Sequence, residues 1–269
     1  MTDVGYTLAV IGGGRMGEAI VAGLVASGRI AADRIAVADT SAARRAIFER
    51  QGIRAVADGH EIVRDAEIVL LAVKPQVIDA VVSHLADDLP AGALVVSIAV
   101  GVSTARLESN LRHRTAVVRV MPNTPAMVGA GVAVVSGGSE ATAEQVERVR
   151  QLFEATGDAI VIDEGLQDAA AAISGSGPAY AALFIDALAR AGVRQGLSRE
   201  VAQRLATQTM RGSAELLLTT GMHPEELVDG VTSPGGTTIA AIEALEAGGL
   251  RAAVFEAVAA AVRRARELG

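Results

Sequence analysis

The chain has 269 residues, a formal net charge of −7 and no cysteine; disulfides and thiolate metal centres are excluded, and a basic nucleic-acid footprint is not expected. Hydrophobic residues make up 51% and aromatics only 2%, with no Trp, so there is enough apolar side chain for two domains, built from Ala, Val, Leu and Ile rather than from stacking rings. No apolar run approaches the roughly 20 residues of a membrane span and no basic leader precedes the first strand-like stretch, so a cytoplasmic protein without membrane or nucleic-acid partners is expected.

The first predicted strand, 7–11, runs straight into IGGGRMGEAI and a helix over 16–27. Gly12, Gly14 and Gly17 fit G-x-G-x-x-G in its required context of strand before and helix after. The glycines allow a tight turn and close approach to a pyrophosphate, and Arg15 and Met16 open the helix whose free N–H groups would face it. The second strand, 34–38, ends at Asp39, which lies 22 positions after Gly17 (39 − 17). A carboxylate there suits the ribose hydroxyls of NAD(H). Thr40, Ser41, Arg44 and Arg45 follow and suit the 2′-phosphate of NADP(H), while Ser41 also fits a helix N-cap. The choice between the two cofactors stays open.

Three further strands, 67–73, 93–99 and 116–121, end in turns suited to ligand contact. Ala72 and Val73 lead into Lys74 and Pro75, and Lys74 is the single lysine among 24 basic residues. Ala99 and Gly101 follow the next strand, and Pro122 and Asn123 the one after. Ligands in open α/β sheets bind at strand carboxyl ends, so these residues join the cofactor set; Asn123 fits either a ligand contact or a closed turn. Strands over 131–135 and 159–162, with helices over 41–51, 77–89, 104–111 and 143–155, complete a doubly wound Rossmann-type α/β domain over 1–163. Thr142 with Gln145 reads as a capping box.

From residue 164 to 269 only helical patterns remain: 166–173, 178–195, 199–220, 224–229, 238–247 and 250–268. Two stretches stand out. ISGSGPAY places Ser174, Gly175, Ser176 and Gly177 before Pro178, and VTSPGGTT places Ser233, Gly235, Gly236, Thr237 and Thr238 around a kink. Both read as helix starts with free N–H groups and hydroxyls, the second with Thr237 or Thr238 as N-cap. Such ends bind anions, here a small carboxylate, since no basic cluster accompanies them. Ser176 and Thr238 are the candidate catalytic hydroxyls; Gly175, Gly177, Pro178, Ser233, Gly235, Gly236 and Thr237 are the candidate substrate contacts. The four histidines (His60, His84, His113 and His223) fall outside these loops, so neither a serine triad nor a metal site is expected. Hydride transfer to a protonated imine needs no general base, unlike oxidation of an alcohol.

IGGGRMGEAI, AVKPQ, MPNTP, SGSGPAY and VTSPGGTT, in this order, resemble pyrroline-5-carboxylate reductase over nearly the whole chain. The resemblance implies NAD(P)H-dependent reduction of 1-pyrroline-5-carboxylate to L-proline, the last step of proline biosynthesis. It implies a helical dimerisation domain that interdigitates with a partner's, and an active site between the domains. The carboxylate would be held by Ser233–Thr238, with Ser174–Tyr180 lining the pocket. Assembly would be a homodimer at least, or a ring of dimers such as a decamer. The family usually prefers NADPH, from which Asp39 departs. Two other readings compete. A β-hydroxyacid dehydrogenase or related imine reductase would share the architecture, but the dehydrogenases carry a catalytic lysine on a helix of the second domain, where this chain has none. A non-catalytic NAD(P)-binding regulator would not need the two hydroxyl-rich stretches.

Overall fold

The computed structural model describes residues 5–112 and 114–268; His113 lies outside them. The chain divides into two compact units. The first runs to Gly175 and takes in the chain from Val262 onward, and the second is Ser176–Ala261.

In the first unit, strands alternate with helices: β1 Tyr6–Ile11, α1 Arg15–Ala26, β2 Ile35–Ala38, α2 Ala42–Glu49, β3 Arg54–Val56, α3 His60–Val63, β4 Ala66–Leu71, α4 Ile78–Leu85, β5 Leu94–Ser97, α5 Thr104–Ser109, β6 Ala116–Met121, β7 Gly131–Gly137, α6 Ala143–Phe153 and β8 Gly157–Val161. The eight strands form one sheet in the order β3-β2-β1-β4-β5-β6-β7-β8. Pairing is parallel except between β6 and β7. Period-two alternation sorts the strand side chains onto two apolar layers. Leu8 and Val10 meet Ile20, Leu24, Phe48 and Phe153 on one face; Ala9 and Ile11 meet Ile62, Ile78, Val82 and Leu85 on the other. Burial on both faces is why these strands read as almost wholly apolar runs.

The differences from expectation are local. β3 was absent from the predicted strands, and α3 from the predicted helices. The helix expected over 77–89 is shorter, a single 3₁₀ turn at Pro75–Val77 followed by α4, because the acidic Asp87-Asp88 and Pro90 beyond it offer no apolar face. The Thr142–Gln145 capping box forms in both directions.

Gly157 opens β8 with φ +142°, and a Cβ there would lie 2.0 Å from the Gly131 carbonyl oxygen. Neither the backbone angle nor the space tolerates a side chain. Gly157→Ala is expected to cost about 3 kcal/mol, lowering the thermal midpoint by about 6–12 °C. A calorimetric midpoint within error of the parent would show that β7 and β8 separate at no cost.

A polar node closes this unit. Arg119 on β6 is buried, with its guanidinium 3.3 Å from Glu164 and 4.0 Å from Asp168. Glu164 also accepts from the Thr104 backbone at 2.8 Å and from its hydroxyl at 2.5 Å. The carboxylate therefore satisfies a helix start and a buried cation together. Beyond it, α7 Gln167–Ala170 passes directly into a π-helical turn, Ala171–Gly175.

The second unit holds α8 Gly177–Arg194, α9 Arg199–Thr220, α10 Pro224–Gly230 and α11 Thr237–Ala247, with most of α12 Leu250–Leu268. Its buried cluster among the described residues consists of Ala189, Ala202 and Ala206, where α8 packs on α9. Large apolar side chains remain outside it: Leu183, Leu218 and Phe255 are 71%, 81% and 76% exposed. A unit with so small a core leaves apolar surface for burial against another chain. No described helix is long and apolar enough to cross a membrane.

Candidate active site

The order β3-β2-β1-β4 reverses direction at β1, so the crevice at the carboxyl ends of β1 and β4 is where such sheets bind ligands. The glycine loop occupies it. Gly12 has φ +105°, and a Cβ there would lie 2.6 Å from the Ala72 carbonyl oxygen; a Cβ on Gly17 would lie 2.6 Å from the Gly12 carbonyl oxygen. Gly12 thus makes the turn and Gly17 lets the helix close on it. Gly14 is the N-cap of α1 and has nothing within 4 Å of where a side chain would start. The space over the helix N-terminus is open for an anionic group.

The loop is braced from β2. Asp39 accepts from the Gly13 N–H and the Ser41 N–H, each at 2.8 Å. Arg44 donates from Nε to the Gly13 carbonyl at 2.5 Å and pairs with Glu18 at 2.6 Å. Arg45 donates to the Asp39 and Thr40 carbonyls at 2.8 and 3.0 Å. Asp39 and Arg44, expected to grip a ligand, therefore also shape the loop. Ser41 stands at the N-cap of α2 without a side-chain capping bond, so its hydroxyl, like the exposed Thr40, is uncommitted.

A cleft of about 660 Å³ opens beside this loop, lined by Gly12, Asp39, Thr40 and Val73 from the expected set. Asp58, Gly59, Val77, Val81 and His84 also line it and were missed. Asp58 and Gly59 follow β3, Val77 ends the 3₁₀ turn after β4, and Val81 and His84 lie on α4, so recognising the three-residue β3 would have pointed to Asp58 and Gly59. The other expected cofactor residues form a row along the same sheet edge: Ala72, Lys74 and Pro75 after β4, Ala99 and Gly101 after β5, Pro122 and Asn123 after β6. Lys74 is exposed and makes no ion pair among the described residues. Gly101 has φ +74° with open space above it. Met16 is half-buried against the core, and Arg15 is exposed at the first turn of α1. Asn123 accepts from the Val132 N–H and donates to the Ser174 carbonyl, both at 3.0 Å. It clamps the β6–β7 loop to the π-helical turn.

The two hydroxyl-rich stretches differ from expectation and from each other. A helix does start within residues 174–178, α8 at Gly177 with Ser176 at its N-cap and Pro178 in its first turn, but no free loop precedes it. Ala171–Gly175 is π-helical, Ser176 is in the αR region, and the N–H groups of Ala179 and Tyr180 both reach the Ser176 carbonyl. With Pro178 lacking a donor, few free N–H groups remain. Before α11, the expected N-cap Thr237 or Thr238 is instead Gly236, with Thr237 and Thr238 in the first turn and no side-chain cap. The chain turns through Gly235 at φ +65°, and a Cβ on Gly236 would lie 2.3 Å from Ser233 Oγ. The hydroxyls of Ser233, Thr237 and Thr238 make no hydrogen bond among the described residues; Thr232 is spent on the Val228 carbonyl at 2.6 Å. The first turn of α11 adds its orphan N–H groups to the same short segment, a type of helix end that favours anions.

Residues 164–268 match a family model described as pyrroline-5-carboxylate reductase dimerisation. Residues 7–101 match one described as NADP oxidoreductase, coenzyme F420-dependent. The chain is 46% identical to a pyrroline-5-carboxylate reductase of Synechocystis, over 97% of this chain and 98% of that one. It is 41% identical to the one from Escherichia coli, over 96% of each. Among solved structures, a pyrroline-5-carboxylate reductase from Coxiella burnetii superposes with a TM-score of 0.94 at 38% identity, covering 99% of both chains. The Plasmodium falciparum enzyme with NADP bound gives 0.86 at 31%, covering 98% of both. With a glycine-loop cleft in one unit, a donor-rich helix start in the other and this agreement from end to end, the chain belongs to the pyrroline-5-carboxylate reductase family.

Proposed function

We propose that this chain reduces 1-pyrroline-5-carboxylate to L-proline with NAD(P)H, and that its residues divide the work as follows. The full-length kinship carries the reaction. When bound, the reduced dinucleotide supplies a hydride to the imine carbon, the C=N π pair passing to the protonated nitrogen. Gly12, Gly14 and the first turn of α1, with Arg15, take the pyrophosphate; Asp39, Thr40, Ser41 and Arg44 surround the adenosine ribose. The open position over Gly14 fits this role. Lys74, Pro75, Gly101, Pro122 and Asn123 border the nicotinamide half. Ser233–Thr238 and the orphan N–H groups of α11 hold the substrate carboxylate. Ser176, Gly177 and Pro178 line the pocket beside it, with Thr238 and Ser176 as the hydroxyls nearest the reacting centre. Loss of nicotinamide absorbance on adding pyrroline-5-carboxylate, with proline as product, tests the whole reading; silence with both NADH and NADPH would overturn it.

Both cofactors are used, with the balance set at Asp39. Its carboxylate would repel a 2′-phosphate, yet it also holds the Gly13 and Ser41 N–H groups. Asp39→Ser is expected to lower kcat/KM with both cofactors while shifting the NADPH:NADH ratio about tenfold toward NADPH, the size of one charge-assisted contact. An unchanged ratio would place Asp39 away from the ribose.

The chain oligomerises through its helical unit. We take the dimer as the minimal active form and a ring of dimers, a decamer, as the larger assembly. Light scattering of the active enzyme should return the mass of a dimer or a multiple of it; an active monomer would contradict this.

A further inference from the structure

The adenosine end of the cleft brings together three side chains that the reductase reaction does not employ. Asp58 lies in the loop after β3, His60 opens α3 and His84 is in the last turn of α4. Each offers one donor atom, and the three donors lie within 4.8 Å of one another. His84 Nε2 is 3.8 Å from Asp58 Oδ1, and the two imidazole rings meet edge to face with centroids 4.0 Å apart. The Asp58 carboxylate is fixed by accepting the His60 N–H at 3.1 Å.

The arrangement has an outer layer. His60 Nδ1 contacts the Asp88 carboxylate, which Arg64 also holds through two contacts, at 2.9 and 2.5 Å. An imidazole that gives its Nδ1 proton to a carboxylate presents a bare Nε2, the tautomer and orientation a metal ion requires. Two imidazoles and one carboxylate are a borderline N/O donor set. It suits Zn²⁺ and its neighbours and is unsuited to Mg²⁺, which takes oxygen ligands. Donors around a tetrahedral Zn²⁺ stand about 3.4 Å apart, given bonds of about 2.0–2.1 Å. Rotation of the exposed His84 ring closes the remaining gap.

We propose that Asp58, His60 and His84 form a binding site for one divalent transition-metal ion, and that its occupancy opposes dinucleotide binding. The antagonism follows from placement: Asp58 and His84 line the same cleft as Gly12 and Asp39. An ion with its remaining water ligands there fills the space into which the adenosine would reach. This second half rests on the cofactor placement proposed above.

The test is calorimetric titration of tag-free, metal-stripped, cofactor-free protein with Zn²⁺ alone, and separately with Mg²⁺. One Zn²⁺ per chain is expected, with no Mg²⁺ heat. Because the exposed His84 side chain is not part of the core, His84→Ala should fold, and it should weaken Zn²⁺ binding at least about tenfold; Asp88→Asn, which touches only the outer layer, should weaken it by about the same order. His223, which caps α10 by accepting the Glu225 N–H at 3.2 Å, serves as a control, and His223→Ala should leave the titration unchanged. In the second arm, saturating Zn²⁺ should raise the Kd for NADPH severalfold in the parent protein and leave it unchanged in His60→Gln. Absence of saturable Zn²⁺ heat, or equal heat in the His84 and His60 variants, overturns the site. Zn²⁺ binding with no effect on NADPH overturns the antagonism. Failure of NADPH to bind metal-free protein would instead strike the cofactor reading, and the Zn²⁺ titration would still decide the metal site.

Discussion

Gly236→Val is expected to reduce kcat/KM for pyrroline-5-carboxylate by more than about 100-fold while leaving the Kd for NAD(P)H unchanged. A side chain at this N-cap would start 2.3 Å from Ser233 Oγ and 3.1 Å from the Ser233 carbonyl oxygen, so the Ser233 hydroxyl must swing away and its backbone give slightly. The variant thus displaces the Ser233 hydroxyl and sets a branched side chain beside the first-turn N–H groups, so that more than one donor to the carboxylate is affected. One charge-assisted hydrogen bond is worth about 1.5–3 kcal/mol, or about 10–150-fold in binding. Thr238→Val, which deletes a single hydroxyl from the same turn, should therefore raise KM by about 10–150-fold and mark the lower bound for Gly236→Val. A sharper form asks which chain the cradle serves. Inactive Gly236→Val and an inactive glycine-loop variant, Gly14→Val, are refolded together. If the cradle completes the partner's site, activity returns to about a quarter of wild type, half of the dimers being mixed and half of their sites intact. Inactivity in verified mixed dimers would put both loops in one chain's site.

The second large effect separates two glycines of one loop. Gly12→Ala should lower both stability and cofactor affinity. The residue sits at φ +105° with the Ala72 carbonyl oxygen 2.6 Å from the new methyl. That strain costs about 1–3 kcal/mol and distorts the turn. Gly14→Ala should leave the thermal midpoint where it is, since nothing lies within 4 Å of the added carbon. It should still raise the Kd for NADPH at least about tenfold, because the methyl stands where a pyrophosphate approaches the helix N-terminus. Nicotinamide fluorescence and melting of the two variants give four numbers. If Gly14→Ala binds NADPH as the parent does, the pyrophosphate does not pass over Gly14.

The sheet was legible because its central strands are buried on both faces and read as largely apolar runs, with polar residues such as Glu67, Ser97 and Arg119 standing singly. β3 escaped because Arg54–Val56 is a three-residue edge strand with an exposed Arg at its start, too short to show a period against the loops around it. The glycine loop was legible for a chemical reason: no other residue can stand at Gly12 or Gly17. At 174–178 the helix start was legible, since α8 begins at Gly177 with Pro178 in its first turn, but the π turn ahead of it was not. Ser and Gly there read as a loop, whereas a π turn takes up an extra residue in a helical segment. Nor could spacing reveal that Asp58, His60 and His84 converge. They come from three elements, and only the packing of α3 and α4 on the sheet brings them together. Asp39 shows the limit from the other side: it follows β2 and lines the cleft, yet its bonds to Gly13 and Ser41 depend on the folded loop.

Consider finally the helical unit, whose buried cluster is Ala189, Ala202 and Ala206 while Leu183, Leu218 and Phe255 lie open. Much of what keeps such a unit folded must come from another chain, so folding and assembly are one equilibrium. By mass action the enzyme then has no single melting temperature: dilution lowers it and crowding of subunits raises it. A substitution on the outer face of α9 or α12, far from any ligand, would read as a folding defect in a dilute tube and as no defect at all where the chain is abundant.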